Sequence, residues 1–586
     1  MRNTLILIAL LSGLTLQACS KDPAQDTDEE ENGKTSSVID DKAGADIVTD
    51  NDEDLVANAT FDRTVLVVYS GNSATVSGES GDFGISISGA GVTITNNGNE
   101  SVIYKLSGSS GDGYFKLYSS HRQEILLDNL TLTNKKGAAI NVQSHKRTFM
   151  AIQGDNTLAD GPSYTLTPSG EDEKAAVFAE GKLVLSGDGK LTVTATGKSG
   201  IASDDYVRFV DSPSVIITAG AGHGVRGKEA IIVSDGTIDV TVSGTGKKGF
   251  SSDTLVYIGG GATSITTSGS AGVVDGELSG VAGIKADLRF VMEGGTLALT
   301  STGTGAKGIS CDNVGYIKGG TLTVTASGAN YGTSSSGGFG PGRGGHGGNS
   351  GSSNNSKSSK AIKFEGNLYI SGGKVTARSS KHEGIEAKGV ITLTGGEVYA
   401  YSSDDAINSG GNLTIEGGKV FAQSTGNDGL DANGNCYIKG GVIYAIGTGS
   451  PEVAIDANTE QQKKLYVSGG NLIAIGSLES GSSLSQTCWS AGTVKKGVSY
   501  SVYDNNGKVI YSFTTPTAVG SLTLVVSAPS LAKVEYGVTL DGGTTYLGGL
   551  YTEGASVSNG TSCSLSPYTG GGGMGGPGGG GYPGGW

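Results

Sequence analysis

Residues 360–380 read KAIKFEGNLYISGGKVTARSS, and the chain continues with EGIEAKGVITLTGGEVYAYSS at 383–403, DAINSGGNLTIEGGKVFAQST at 405–425 and DGLDANGNCYIKGGVIYAIGT at 428–448. One pattern recurs about every 23 residues: a small residue before an apolar one, then short alternating runs broken by Gly-Gly or Asn-Gly. A fixed period of this length identifies a repeat architecture before any local propensity is weighed. No helical period intervenes, so each block is one coil of a parallel β-helix whose strands pair with their equivalents in the next coil. Parallel crossovers are right-handed. The predicted fold class is therefore all-β, a right-handed parallel β-helix with N- and C-terminal β caps.

The register follows one column. Gly or Ala precedes an inward apolar residue at Ala139-Ile140, Ala176-Val177, Gly200-Ile201, Gly224-Val225, Gly249-Phe250, Gly283-Ile284 and Gly308-Ile309, and onward at Ala361-Ile362, Gly384-Ile385, Ala406-Ile407, Gly429-Leu430 and Ala454-Ile455. Small residues suit a bend where neighbouring coils crowd. A Gly-Gly step marks a second corner, from Gly294-Gly295 to Gly469-Gly470.

Glycine makes up 102 of 586 residues without a triplet period, which excludes collagen. Apolar residues are only 36% of the chain, low for a globular core but sufficient for the thin stack a β-helix buries. Residues 1–18, MRNTLILIALLSGLTLQA, carry one basic residue and an apolar run too short to span a bilayer, hence an export signal. Leu16-Gln17-Ala18-Cys19 resembles a bacterial lipobox, which would make Cys19 the lipidated N-terminus. An ordinary secretory signal with a chance cysteine is the alternative. The acidic run after Cys19 resembles export tags of surface-displayed Bacteroidetes lipoproteins, implying a lipid anchor in the outer membrane and exposure at the cell surface.

Residues 20–54 hold thirteen Asp and Glu against three Lys, leaving a net charge of only −6 on residues 55–586. The acidity reads as a disordered tether over 19–60, and nucleic acid is not an expected partner. Strands over 61–136 are expected to cap the coils, which run over 137–480. Asn330–Ser359 is a Gly/Ser-rich insertion that should loop out. A C-terminal β cap over 481–568 and a Gly-rich tail over 569–586 complete the chain, expected to be a monomer. Cys311 and Cys436 fall at inward positions, whereas Cys488 and Cys563 flank the C-terminal segment, where spacing alone cannot decide whether they pair.

Equivalent residues of successive coils stack about 4.8 Å apart, so a column of like charge calls for a counter-ion. Glu383, Asp405 and Asp428 stand two residues before the inward landmark; Glu386, Asn408, Asp431 and Asp456 stand one after it; Asp404 and Asn427 join the same corner. Oxygen ligands without sulfur or imidazole suit a hard cation, and a flexible multi-oxygen site suits calcium. A solvated acidic edge is the competing reading. In earlier coils the first position is basic (Lys248, Lys307, Lys360) and Asp253, Asp287 and Asp312 follow the landmark. A ladder of surface Lys–Asp pairs is the expectation there, with a strip for uronic-acid carboxylates as the alternative. Outward aromatics form two further columns, Tyr399–Phe421–Tyr444 and Tyr369–Tyr437–Tyr466 with Tyr257 and Tyr316 before them, either a platform for pyranose rings or self-stacking within the sheet.

The blocks GIEAKGVITLTGGEVYAYSSDDAIN and NDGLDANG, with the export signal and the Gly-rich tail, resemble the bacterial carbohydrate-binding domain-containing β-helix family over residues 61–568. The resemblance implies a pectate-lyase-like fold, a polysaccharide partner such as cellulose or polygalacturonate, and calcium. Asp404-Asp405-Ala406-Ile407-Asn408 and Asn427-Asp428-Gly429-Leu430-Asp431 are similar to the calcium-binding Asp-Asp-x-x-Asp of one lyase family, with Asn at 408 and 427 where that motif has Asp. A lyase needs a base to take the C5 proton beside the calcium, and Lys388 is the nearby candidate. No coil sets an evident Lys or Arg beside both acidic columns. The expected function is non-catalytic binding of acidic polysaccharide with calcium; a calcium-dependent lyase and a structural adhesin are the alternatives.

Overall fold

The computed structural model describes residues 37–38, 48–79, 81–165, 168–332 and 356–569. The signal segment, Cys19, most of the tether, the bulk of the Gly/Ser-rich insertion and the tail lie outside the described residues. Within them the chain is almost all β: helix is confined to four 3₁₀ turns of three residues each. No helix of the described residues is long and apolar enough to cross a membrane.

The strands stack as three faces of a parallel β-helix. The Gly/Ala–apolar column builds the first sheet, fourteen strands running from Phe83–Ser88 to Leu430–Ala432. Its rungs pair in parallel with the expected register, Ile309 opposite Ile362, Ile362 opposite Ile385, and Ile407 opposite Leu430. The second and third sheets divide at Gln123–Thr133, whose first half pairs with Thr148–Gln153 in the second and whose second half pairs with Asp155–Ala159 in the third. Inward side chains of all three faces form one continuous apolar core, including Cys311 and Cys436.

Two positions explain the glycine content. The second residue of each Gly-Gly corner has positive φ, from 67° at Gly295 to 85° at Gly470, where a side chain is strained. At the first-sheet bend φ is ordinary and the constraint is space: a Cβ on Gly308 would stand 2.0 Å from Val324 Cγ1.

The ends depart from expectation. Residues 61–136 contribute rungs rather than a separate cap, since Arg63–Ser70 pairs in parallel with Val102–Ser110, and that strand with Gln123–Thr133. Antiparallel strands Ser73–Ser77 and Phe83–Ser88 break the sequence period there. The end of the tether is also ordered. Two 3₁₀ turns, Asp52–Asp54 and Val56–Asn58, lie across the outer face of the second sheet, with Leu55, Val56, Ala59 and Phe61 packed against Phe149, Val184, Ile232 and Val291. Asp54 is fully buried at 0% exposure and receives Arg147 at 2.9 Å, Arg208 at 2.9 Å and the Tyr206 hydroxyl at 2.6 Å. A buried carboxylate with such partners is a latch, not a solvated tether.

At the far end Thr523–Ser527 closes the third sheet by pairing antiparallel with Asn471–Ile475. A six-stranded antiparallel sheet then folds back over that face. Cys488 and Cys563 are free, as are the other two described cysteines.

Candidate functional site

The outer edge of the first sheet carries two adjacent columns whose charge changes sign along the helix axis. One runs Lys248, Ala282, Lys307 and Lys360, followed by Glu383, Asp405 and Asp428; the other runs Arg226, Ser251, Lys285, Ser310 and Lys363, followed by Glu386, Asn408 and Asp431. The Gly or Ala between the columns lets both converge on one corner.

At the junction the charges cancel. The Lys360 ammonium, 4% exposed, lies 2.8 Å from Glu383 and 2.5 Å from Glu386, which are themselves 6% and 0% exposed. Burial opposes its charge, but the two carboxylates outweigh that and hold Lys360 above its ordinary value. His382 pairs with Glu383 and, at 2.9 Å, with Asp404. Burial alone would lower its pKa; the hydrogen bonds to Asp404 and Glu383 instead raise it to about 9, so it is a cation at neutral pH. Glu383 falls correspondingly to about 2 despite its burial, through His382 and Lys360. Lys388 completes the network on Glu386. Glu383, Glu386 and Asp404, expected as calcium ligands, are thus neutralised by protein cations, while Asn427 donates to Asp404 at 3.1 Å.

Beyond the junction no such cation is supplied. Asp405 and Asp428, 5% and 6% exposed, form no ion pair among the described residues, and neither does Asp456. The Asn408 amide bridges Asp405 at 2.9 Å and Asp431 at 2.6 Å, while Asp428 accepts the Val453 N–H at 2.5 Å. Burial and then Asp431 push Asp405 up to about 8; burial, Glu452 and Asp431 push Asp428 up to about 8; burial and Glu479 push Asp456 up to about 10. Glu479, one residue beyond Leu478 in register with Ile455, extends the second column past Asp456, and Glu452 joins the corner from outside both columns.

Five oxygen-bearing side chains (Asp405, Asn408, Asp428, Asp431 and Asp456) therefore crowd one edge, and the charge of Asp405, Asp428 and Asp456 must be protonated or matched by an outside cation. That donor chemistry fits a hard cation. The carboxylates approach by pairs across adjacent rungs: among the described residues, the acidic trios whose ligand atoms all lie within 4.8 Å are His382–Glu383–Asp404 and Asp172–Glu180–Asp204. Both contain internal cations, protonated His382 in one and, in the other, Lys174 at 2.6 Å from Asp172 and from Asp204.

The expected Lys–Asp ladder does not form from Lys248, Lys307 and Lys360. Asp287 and Asp312 take Lys285 instead, each at 2.6 Å, and Asp253 takes Arg226 at 2.7 Å. A lysine at the bend points toward the corner, whereas one beyond the landmark reaches the acid two residues on or the next rung.

The aromatic columns separate. Phe421 and Tyr444 are fully buried, and Tyr399 packs beside them, under the C-terminal module; Tyr444 meets Phe513 at 5.8 Å. These three cannot be an exposed sugar platform. Tyr369, Tyr437 and Tyr466 remain half-buried on the second sheet, outside the clusters formed by the N-terminal latch and the C-terminal module. Tyr316 and Tyr369 stack at 5.3 Å, Tyr437 and Tyr466 at 5.0 Å, with interplanar angles of 14° and 13°. Rings that close must lie face to face along the axis. Thr392 and Thr414 occupy the rungs between the pairs. The result is a threonine-floored slot, about 14 Å from Tyr369 to Tyr437 at the normal rung spacing, walled by Tyr369 at one end and at the other by Tyr437, over whose ring the Lys439 ammonium stands at 5.6 Å. Asn367 and Asn435 fix its walls by hydrogen bonds of 3.1 and 3.0 Å to the two tyrosine hydroxyls.

A family profile described as “Carbohydrate-binding domain-containing protein” matches residues 88–406. A curated protein of the same description from Acetivibrio thermocellus is 28% identical over 131 residues, which is 22% of this chain and 44% of that protein. The chain thus matches less than half the length of that relative. A solved structure titled as the polysaccharide lyase-like protein from C. thermocellum, gadolinium derivative, aligns at 20% identity over 43% of this chain and 96% of its own, with a TM-score of 0.37.

Proposed function

The chain belongs to the carbohydrate-binding domain-containing protein family, and from that membership we propose that it is a non-catalytic polysaccharide-binding protein, held at the cell surface as an outer-membrane lipoprotein through Cys19. The slot between Tyr369 and Tyr437 carries this reading. Two aromatic faces with a small polar floor offer apolar surface to sugar rings while the hydroxyls meet Thr392, Thr414 and the Glu416–Lys439 pair, itself closed at 3.0 Å. Acidic polysaccharide such as polygalacturonate, or cellulose, is the proposed ligand class, and calcium the proposed cation at Asp405, Asn408, Asp428, Asp431 and Asp456. Calcium bound there would supply the positive charge that Asp405, Asp428 and Asp456 do not receive from an ion pair among the described residues.

Binding is favoured over elimination by the same charges. The lysine candidates for a lyase base would have to lose a proton beside the cation. Lys388 is committed to Glu386, and Lys360 is held protonated by two carboxylates.

The test is retention of purified protein on cellulose and on immobilised polygalacturonate, with calcium or EDTA, while ultraviolet absorbance of unsaturated uronides is followed. Retention lost in Tyr369→Ala and Tyr437→Ala, without new absorbance, is the expected result. Retention unchanged in both variants overturns the slot, and a steady absorbance rise overturns the non-catalytic reading. Cys19→Ser should move the protein from the membrane to the soluble fraction.

A further inference from the structure

Upstream of the neutral junction, the basic half of the strip opens into a cavity of about 880 Å³. Five lysines line it: Lys248, Lys285, Lys307, Lys357 and Lys363. Three carboxylates of the lining are already engaged, Asp287 and Asp312 with Lys285 at 2.6 Å each, and Glu365 with Lys363 at 2.5 Å. Glu277 is exposed on the rim and pairs with none of the lysines among the described residues. His382 on the far wall is spent on Glu383 and Asp404.

The remaining lysines lack an anionic partner. Lys248 reaches only neutral oxygens, Gly246 O and Ser279 Oγ, both at 2.9 Å. Lys307 is 8% exposed, lines the cavity, and makes no side-chain hydrogen bond or ion pair among the described residues. Lys357 contributes its backbone to a bridge with Tyr331, closing the neck of the Gly/Ser-rich insertion, and its ammonium is likewise unpaired among the described residues. An ammonium removed from water without a partner is costly. Burial, then Lys363, Lys360 and Lys357, push Lys307 down to about 8; burial, then Lys247, Lys285 and Arg226, push Lys248 to about the same value. Uncompensated cations around a roomy polar cavity call for an anion from outside.

We propose that this cavity is an anion subsite that receives the carboxylate of a uronic acid or the sulfate ester of a sulfated sugar, with Lys307 and Lys248 as the binding cations and Lys357 at the mouth. That a sugar carries the anion rests on the functional reading above; the anion site itself rests on the lysines alone. A compact ammonium meets either oxyanion as a point charge.

The experiment is thermal denaturation and calorimetric titration of the full chain with galacturonate, with inorganic sulfate, and with neutral galactose, against chloride at matched ionic strength. Galacturonate, sulfate or both should raise the melting temperature above the chloride control, and galactose should not. Lys307→Met and Lys248→Met should each weaken the effective anion by about tenfold or more, the worth of one charge-assisted hydrogen bond. Lys307→Met should also melt at or above the wild-type temperature without anion, because a merely structural lysine would lose stability on removal. A response to galacturonate alone assigns a carboxylate subsite, and a response to sulfate alone a sulfate subsite. No anion response in the wild-type protein, or an unchanged response in both variants, overturns the proposal. Absence of polysaccharide retention in the wild-type protein, or retention unchanged in Tyr369→Ala and Tyr437→Ala, with the anion response intact would count against the aromatic slot and leave this site standing.

Discussion

Calcium uptake at the acidic corner should expel protons, in a number set by burial. In the cation-free protein at pH 7, Asp405 and Asp428, each at about 8, and Asp456, at about 10, are mostly protonated. A cation needs them ionised, so binding at pH 7 should release about two to three protons. The stability consequence has a definite sign. These folded-state values lie above those of the unfolded chain, so the native state holds more protons from about pH 4 up to about pH 8 for Asp405 and Asp428, and up to about pH 10 for Asp456. Cation-free stability is therefore full below about pH 4 and declines as pH rises toward 8, by at most about 1.4 kcal/mol per pH unit for each carboxylate. Asp405 and Asp428 together would account for a drop of up to about 5 kcal/mol between pH 5 and 7. Calcium should flatten that slope, adding about 2.7 kcal/mol at a hundredfold excess over its dissociation constant. Calorimetric titration in two buffers of different ionisation enthalpy counts the protons, and melting from pH 5 to 8 in EDTA or calcium gives the slope. Asp405→Asn with Asp428→Asn should abolish the calcium-linked proton release, reduce the EDTA slope to the share of Asp456, and make the EDTA-treated protein more stable at pH 8. Calcium binding with no buffer dependence, or melting curves indifferent to calcium at every pH, would refute the reasoning.

Three further outcomes follow from the packing. Lys360→Met leaves Glu383 and Glu386 buried without their ammonium and should cost about 3–5 kcal/mol in urea denaturation at pH 7; adding Glu383→Gln and Glu386→Gln should restore most of it, and a cost below about 1 kcal/mol would deny the junction its role. In the wild type, Glu383, held at about 2, contributes stability that is present above its unfolded value and lost as pH falls toward 2. Asp54→Ala strands Arg208 and should expose residues 51–61 to limited proteolysis; an unchanged cleavage pattern would mean the latch is held by Leu55, Val56 and Phe61 alone. Phe421→Ala should cost about 3–5 kcal/mol yet leave polysaccharide retention per folded molecule intact, the reverse of Tyr437→Ala.

The parallel stack was legible because crowding at the bend admits only Gly or Ala and the Gly-Gly corner requires a positive φ, constraints that every coil repeats. Side-chain partnership was not. Lys360 stands in register with Lys307, and nothing in that column says whether its long chain turns to its own coil or to Glu383 and Glu386 one coil on. Tyr399, Phe421 and Tyr444 read identically whether an outward ring meets sugar or protein. The signal that separates them lies elsewhere, in Tyr500, Tyr511, Phe513 and Tyr551, whose rings give the C-terminal module an apolar face in need of a partner. The latch left a similar trace, with Leu55, Val56 and Phe61 inside an acidic run that a solvated tether has no use for.

The division of charge along the strip itself has a physical consequence. Had lysines and carboxylates alternated from coil to coil, each would have found a partner one rung away, as Lys360 does, and no cation or anion from outside would be needed. Segregation instead leaves unmet positive charge at Lys307 and unmet negative charge at Asp405, three rungs apart in the first sheet, with the Lys360–Glu383–Glu386 belt between them. That separation is about 14 Å, longer than the screening length of about 8–10 Å at physiological salt. The two ends therefore do not neutralise each other through solvent. A polyanionic chain laid along the strip is attracted by the lysines directly but repelled by the acidic end until a cation occupies it, so calcium should strengthen retention of a long acidic chain more than that of a single uronic acid.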